Sequence, residues 1–125
     1  MVYDRKQIML AFSNRFHGHG SLRYVYKNGV AKRSHIFTIK TVRNTHRKSS
    51  RFAVVISKKV HKSAVGRNRA RRRLYEIIRH EMARMELVHD VAIIVSSAEV
   101  LSLPSEELKK ELVRLLDEAG LYVRP

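Results

Sequence analysis

The sequence predicts an α+β fold, a single-domain αββαβα sandwich whose mixed sheet is covered by helices. Two wholly apolar runs, Phe52–Ile56 and Val91–Val95, are separated by a long helical segment from about Arg67 to Leu87. Strand, helix, strand in that order predicts a parallel pair joined by a helical crossover. Runs without a polar position suit strands covered on both faces. The C-terminal stripe Leu108, Leu112, Leu115 and Leu116 supplies an amphipathic helix to do the covering.

Taken in order, the elements begin at Ser21. Residues 1–13 carry no clear signal and stand open as a flexible or variable N-terminal extension of the one domain, 1–125. In Ser21–Lys27, Leu22, Val25 and Tyr26 fall at helical spacing, with Ser21 placed to cap and Asn28-Gly29 to stop. The same residues also suit a strand. His35–Val42 alternates, with Phe37 and Ile39 on one face and Thr38 and Lys40 on the other. Asn44–Ser50 is polar and basic and reads as a loop. On the long helix, Ala70, Leu74, Ile77, Ile78 and Met85 share the side that should pack on the sheet; Arg72 and Arg79 fall opposite, with Asn68 and Arg69 nearby. In the last helix Glu106 and Glu107 sit where the dipole favours acids, Glu106–Lys110 is a supporting pair, and Gly120 marks the end.

Charge points to function. The chain of 125 residues carries a formal charge of +15, yet residues 5–75 hold 20 Lys and Arg and no Asp or Glu. Residues 76–125 hold 6 basic and 10 acidic residues, close to balance. A one-signed stretch repels itself on compaction, and a polyanion relieves that while shedding its own counterions. The absence of cysteine excludes disulfides, thiolate zinc sites and cysteine nucleophiles, and fits a reducing, cytoplasmic setting. No apolar run has the length of a membrane span.

The basic charge concentrates in residues 58–73, where eight of sixteen are Lys or Arg. Arg67, Arg69, Arg71, Arg72 and Arg73 crowd the start of the long helix, the end at which the dipole disfavours cations. An external anion accounts for the arrangement: guanidinium forks and free helix N–H groups both bind phosphate oxygens. For Arg79 and Arg84, which follow Glu76 and Glu81, a solvated charged face is sufficient.

Ser57-Lys58-Lys59-Val60, Arg67-Asn68-Arg69 and Arg71-Arg72 together resemble the signature of the bacterial ribonuclease P protein subunit. The resemblance extends in register to Asn14-Arg15, Val25-Tyr26 and Gly29, to Phe37 and Ile39, and to Asp90–Val95 and Glu106–Leu116, covering roughly residues 14–121. It implies a left-handed βαβ crossover. It implies that Lys58, Lys59, Arg67, Asn68, Arg69, Arg71 and Arg72 contact the catalytic RNA. It also implies a cleft, lined by Leu22, Tyr26 and Phe37, that takes the single-stranded 5′ leader of precursor tRNA. Leu22 stands where the family commonly has an aromatic residue, and His17-Gly18-His19-Gly20 replaces its usual charged residues.

The reaction so implied is hydrolysis of one phosphodiester, leaving a 5′-phosphate on the tRNA, with Mg²⁺ held mainly by the RNA and no catalytic residue in this chain. The residues agree, because the basic stretch lacks the carboxylates with which a protein nuclease holds metal. The expected partners are ribonuclease P RNA and precursor tRNA, with no membrane and no obligate protein partner. Any metal bound by the protein itself stays unassigned: His17 and His19 are two candidate ligands without a third. His35, His46 and His61 lie among basic residues and suit solvated or phosphate-facing roles. Three rival readings are another RNA-binding module such as a ribosomal protein, a self-sufficient nuclease using Glu76 or Asp90, and a binder of anionic membranes.

Overall fold

A computed structural model describes Arg15 and residues 19–122. Expectations for residues 1–13, for Asn14 and for the His17–His19 pair lie outside what it describes. The elements are α1 (His19–Asn28), β1 (Val30–Arg33), β2 (Phe37–Arg43), β3 (Arg51–Ile56), α2 (Ala64–Glu81), a 3₁₀ turn (Met82–Arg84), β4 (His89–Val95), a short α3 (Glu99–Ser102) and α4 (Ser105–Glu118). The ambiguous segment near Ser21 is helical. Its end is tied by Gly29 N–H to Val25 O at 2.8 Å and by Asn28 Nδ2 to Tyr24 O at 3.1 Å.

The sheet has four strands in the order β1-β2-β4-β3, with β3 parallel to β4 and the other pairs antiparallel. The parallel pair follows the sequence expectation; β1 and α3 were not expected. Val30-Ala31-Lys32-Arg33 is too short and too charged to read as a strand. It pairs because the turn after it is organised by Ser34, whose Oγ accepts from the N–H groups of Ile36 and Phe37 at 3.2 Å.

The long helix also begins earlier and ends earlier than expected. Ser63 caps it, its Oγ accepting from Val65 N–H at 3.1 Å and Gly66 N–H at 3.3 Å. Its C-terminal side tightens into the 3₁₀ turn, and Met85 is already extended, bridging to Tyr122. There Glu81, almost fully buried, accepts from Tyr122 Oη at 2.8 Å and pairs with Arg84 at 3.0 Å.

Two layers of apolar residues enclose the sheet. On one face Phe37, Ile39, Phe52, Val54, Val91 and Ile93 pack against Leu74 and Ile78 of α2 and Leu108, Leu112, Leu115 and Leu116 of α4. On the other, a smaller cluster joins Val25 of α1 to Ala53 and Ala92, with Leu22, Tyr26 and Val42 against it. Gly120, at φ +85°, closes α4: its N–H bonds Asp117 O at 3.0 Å and Leu121 N–H bonds Leu116 O at 3.2 Å. Arg114 pairs with Glu111 and Glu118 on this helix, in place of the expected Glu106–Lys110 pair. No helix among the described residues is long and apolar enough to cross a membrane.

Candidate nucleic-acid interface

The arginine cluster is divided between structure and surface. Because Ser63 starts α2 at Ala64, only Arg67 lies in the first turn, and the dipole penalty that falls off over one turn acts mainly on it. Its head folds back, Nη1 donating to His61 O and Lys62 O, each at 2.9 Å. Those carbonyls belong to the loop that carries Lys58, Lys59 and Lys62, so Arg67 shapes this loop. Gly66 makes the fold-back possible, since a Cβ there would collide with the His61 ring. The ring accepts from Ser63 N–H through Nδ1 at 3.2 Å, which requires the neutral Nε2–H tautomer.

Arg71 Nη1 donates to Asn68 Oδ1 at 2.9 Å, so these two hold one another. Arg73 is structural: it donates to Val100 O at 2.7 Å and to Leu103 O, tying α2 to the α3 segment. Arg69, Arg72, Lys58 and Lys59 are exposed. Among the described residues none of these arginines or lysines is paired with a carboxylate. The internal acceptors of Arg67, Arg71 and Arg73 are neutral oxygens, so hydrogen bonds are satisfied while the positive charge stays whole. Arg79 differs, since it and His80 both hold Glu76, at 2.7 and 2.9 Å, and Arg79 keeps that carboxyl below its ordinary pKa.

The face under α1 requires a correction. Leu22 and Tyr26 are half-buried there, but Phe37 is fully enclosed in the opposite core. The alternation of β2 explains this. Phe37 and Ile39 point towards α2 and α4, which puts Thr38, Lys40 and Val42 on the α1 side. Cross-strand register then lines that side with two rows. In one, Lys40 lies beside Ala92 and Ala92 beside Ala53; in the other, Arg33 adjoins Thr38, then Ile94, then Val55. Small and half-buried apolar residues thus floor a surface edged by cations. Lys40 Nζ donates to Tyr26 O at 2.9 Å and lies 5.8 Å from the Tyr26 ring centre. Partial burial raises the Tyr26 hydroxyl above its ordinary pKa.

A third basic element reads from the sequence only as a polar, basic loop and has no place among the expected RNA-binding residues. The β2–β3 loop exposes His46, Arg47 and Lys48 around an open concavity of about 620 Å³. The signal was present, as three basic side chains in a row without an acid. His35, expected in a solvated or phosphate-facing role, is exposed and pairs with Glu99 at 2.8 Å, before the start of β2 and so at the far end of that strand from this loop.

A self-sufficient nuclease needs free carboxylates beside the basic surface. Glu76 is held as above, and Asp90 accepts a two-pronged bond from Arg51 at 2.9 and 2.7 Å. Among the described residues no group of three or more His, Asp or Glu is placed to hold a metal ion.

A family model described as Ribonuclease P matches residues 10–120. The ribonuclease P protein component of Synechococcus sp. (strain WH7803) is 39% identical over 100 residues, covering 80% of this chain and 75% of that one. That of Chloroflexus aggregans is 31% identical over 113 residues, covering 90% and 82%. The RNase P protein structure from Staphylococcus aureus superposes with a TM-score of 0.78 at 21% identity, covering 88% of this chain and 98% of that one. The Thermotoga maritima RNase P protein gives 0.74 at 20% identity, covering 83% and 96%.

Proposed function

This chain belongs to the ribonuclease P protein family, the protein component of a ribonucleoprotein endoribonuclease of tRNA 5′ processing, and from that premise we propose how its surfaces divide the work. The loop of Lys58 and Lys59 and the α2 face of Asn68, Arg69, Arg71 and Arg72 contact the catalytic ribonuclease P RNA. The surface between α1 and the sheet, with Leu22, Tyr26 and Lys40 and the Thr38–Ile94–Val55 row, takes the single-stranded 5′ leader of precursor tRNA. Phe37 has no part in it.

One observation carries the reading: Arg69, Arg72, Lys58 and Lys59 stand exposed without a carboxylate partner among the described residues. Phosphate oxygens supply the missing charge and release counterions as they do so. On the α1 side, the half-buried Tyr26 ring offers a stacking surface that does not depend on base identity, and Lys40 lies beside it for the backbone.

Among the described residues no donor set suits a Mg²⁺ site, and we assign the ion of the reaction to the RNA and no catalytic step to a side chain. The protein's contribution is to position the leader and to lower the repulsion between two RNAs. The setting is the cytoplasm.

The test is reconstitution of precursor-tRNA cleavage with a bacterial ribonuclease P RNA across a Mg²⁺ series. The protein should lower the Mg²⁺ needed for half-maximal rate, and Arg69→Ala/Arg72→Ala should raise it again. Tyr26→Ala should cost affinity only for substrates that carry a leader. A protein that leaves the Mg²⁺ requirement where the RNA alone sets it would contradict the proposal.

A further inference from the structure

We propose that Asp90 is a positioning residue that aims the β2–β3 loop as a second phosphate-gripping element, so that removing this negative charge weakens RNA binding. The inference rests on the RNA-binding reading above.

Asp90 is buried at the start of β4, beneath the two ends of that loop. Its carboxylate accepts from Arg51 Nε at 2.9 Å and Nη2 at 2.7 Å, at the loop's exit. The same carboxylate accepts from Asn44 Nδ2 at 3.0 Å, at the loop's entrance. Asn44 passes the restraint on, its Oδ1 accepting from His46 N–H at 3.0 Å, while its own N–H bonds Val88 O at 2.9 Å. Ser50 Oγ accepts from His89 N–H at 3.0 Å. Apart from the Asn44–His46 bond within the loop, these ties run from the first residues of β4, or those just before it, to one end of the loop. The residues between the ends, Thr45 to Ser49, are exposed and include three basic side chains.

The geometry separates two roles of charge. Arg51 neutralises Asp90 in a forked pair, so the carboxylate does not offset Arg47 and Lys48, which stay available to an outside anion. Untied, the loop would sample many conformations, and binding would have to order it, which costs affinity. The loop also lies at the opposite end of β3 from Lys58 and Lys59. Six strand residues at about 3.3 Å each separate the two basic elements by roughly 20 Å, so they meet phosphates at well-separated points of one RNA.

A double-mutant cycle on the full-length protein tests this, with ribonuclease P RNA binding measured across a monovalent salt series. Arg47→Ala/Lys48→Ala should flatten the log–log salt slope by about 0.7–0.9 for each phosphate that is no longer neutralised. Asp90→Asn should weaken binding despite raising the net charge, and should have no further effect once Arg47 and Lys48 are gone. Asn44→Ala keeps the Asp90–Arg51 pair and cuts the entrance tie together with its relay to His46 N–H; it carries the same expectation should Asp90→Asn fail to fold. Tighter binding by Asp90→Asn, or a loss equally large with and without the loop cations, would overturn the proposal. If Arg69→Ala/Arg72→Ala still weakens binding in that case, the RNA-binding reading stands and only the clamp is lost. If those variants bind like the parent as well, the broader reading falls with it.

Discussion

Replacing Arg69 by alanine is expected to stabilise the free protein while weakening its hold on RNA. Arg69 is exposed, and Arg72 and Arg73 follow it at helical spacings of three and four residues. Like-charged pairs at these spacings cost about 0.2–0.5 kcal/mol each at low salt. The Arg73 head is drawn away to Val100 O and Leu103 O, so its share lies at the low end. Alanine adds a few tenths of a kcal/mol of helix propensity. The sum is about 0.5–1 kcal/mol, or roughly 2–4 °C in Tm for a domain of this size. RNA affinity should move the other way, with a salt slope flatter by about 0.7–0.9 for one phosphate left without its cation. Arg73→Ala is the control with opposite signs. It removes two charge-assisted bonds at a half-buried site and should cost about 2 kcal/mol of stability while leaving the salt slope unchanged. Thermal unfolding by circular dichroism in low-salt buffer and filter binding over a salt series read both quantities. An Arg69→Ala protein that melts lower and keeps the parent slope would refute the division of the cluster into surface and structural arginines.

Tyr122→Phe should cost about 1.5–2 kcal/mol at neutral pH, because buried Glu81 loses one donor and keeps Arg84; urea unfolding measures it. Burial and the Glu81 carboxylate raise the Tyr122 hydroxyl above its ordinary pKa. Its contribution is therefore complete below the unfolded-state value of about 10 and falls as pH rises beyond it, so parent and variant should converge in stability at strongly alkaline pH. Gly29→Ala places a Cβ 2.5 Å from Val25 O and 3.2 Å from Thr41 N, both backbone atoms that cannot yield cheaply. It should destabilise by about 1–3 kcal/mol by forcing α1 off the sheet, and an unchanged Tm would count against the close α1–β2 packing.

Leu108, Leu112, Leu115 and Leu116 all reached the core as their spacing predicts, and the two wholly apolar runs became the parallel pair of the sheet. Periodicity and burial are local consequences of residue type, so the sequence by itself determined the fold class, the main helices and the electropositive half of the molecule. It could not determine which arginine keeps its charge for a partner. Arg69 and Arg73 are alike in type and nearly adjacent, and only the approach of the α3 segment turns the second inward. Likewise Phe37 was placed on the leader side by position, whereas the pleat of β2 and the helices beneath it send it into the opposite core. The Asp90 tie to the β2–β3 loop depends on contacts between residues distant in sequence. Such contacts exist only once the chain has closed, because they are set by register and packing and leave no mark on local composition.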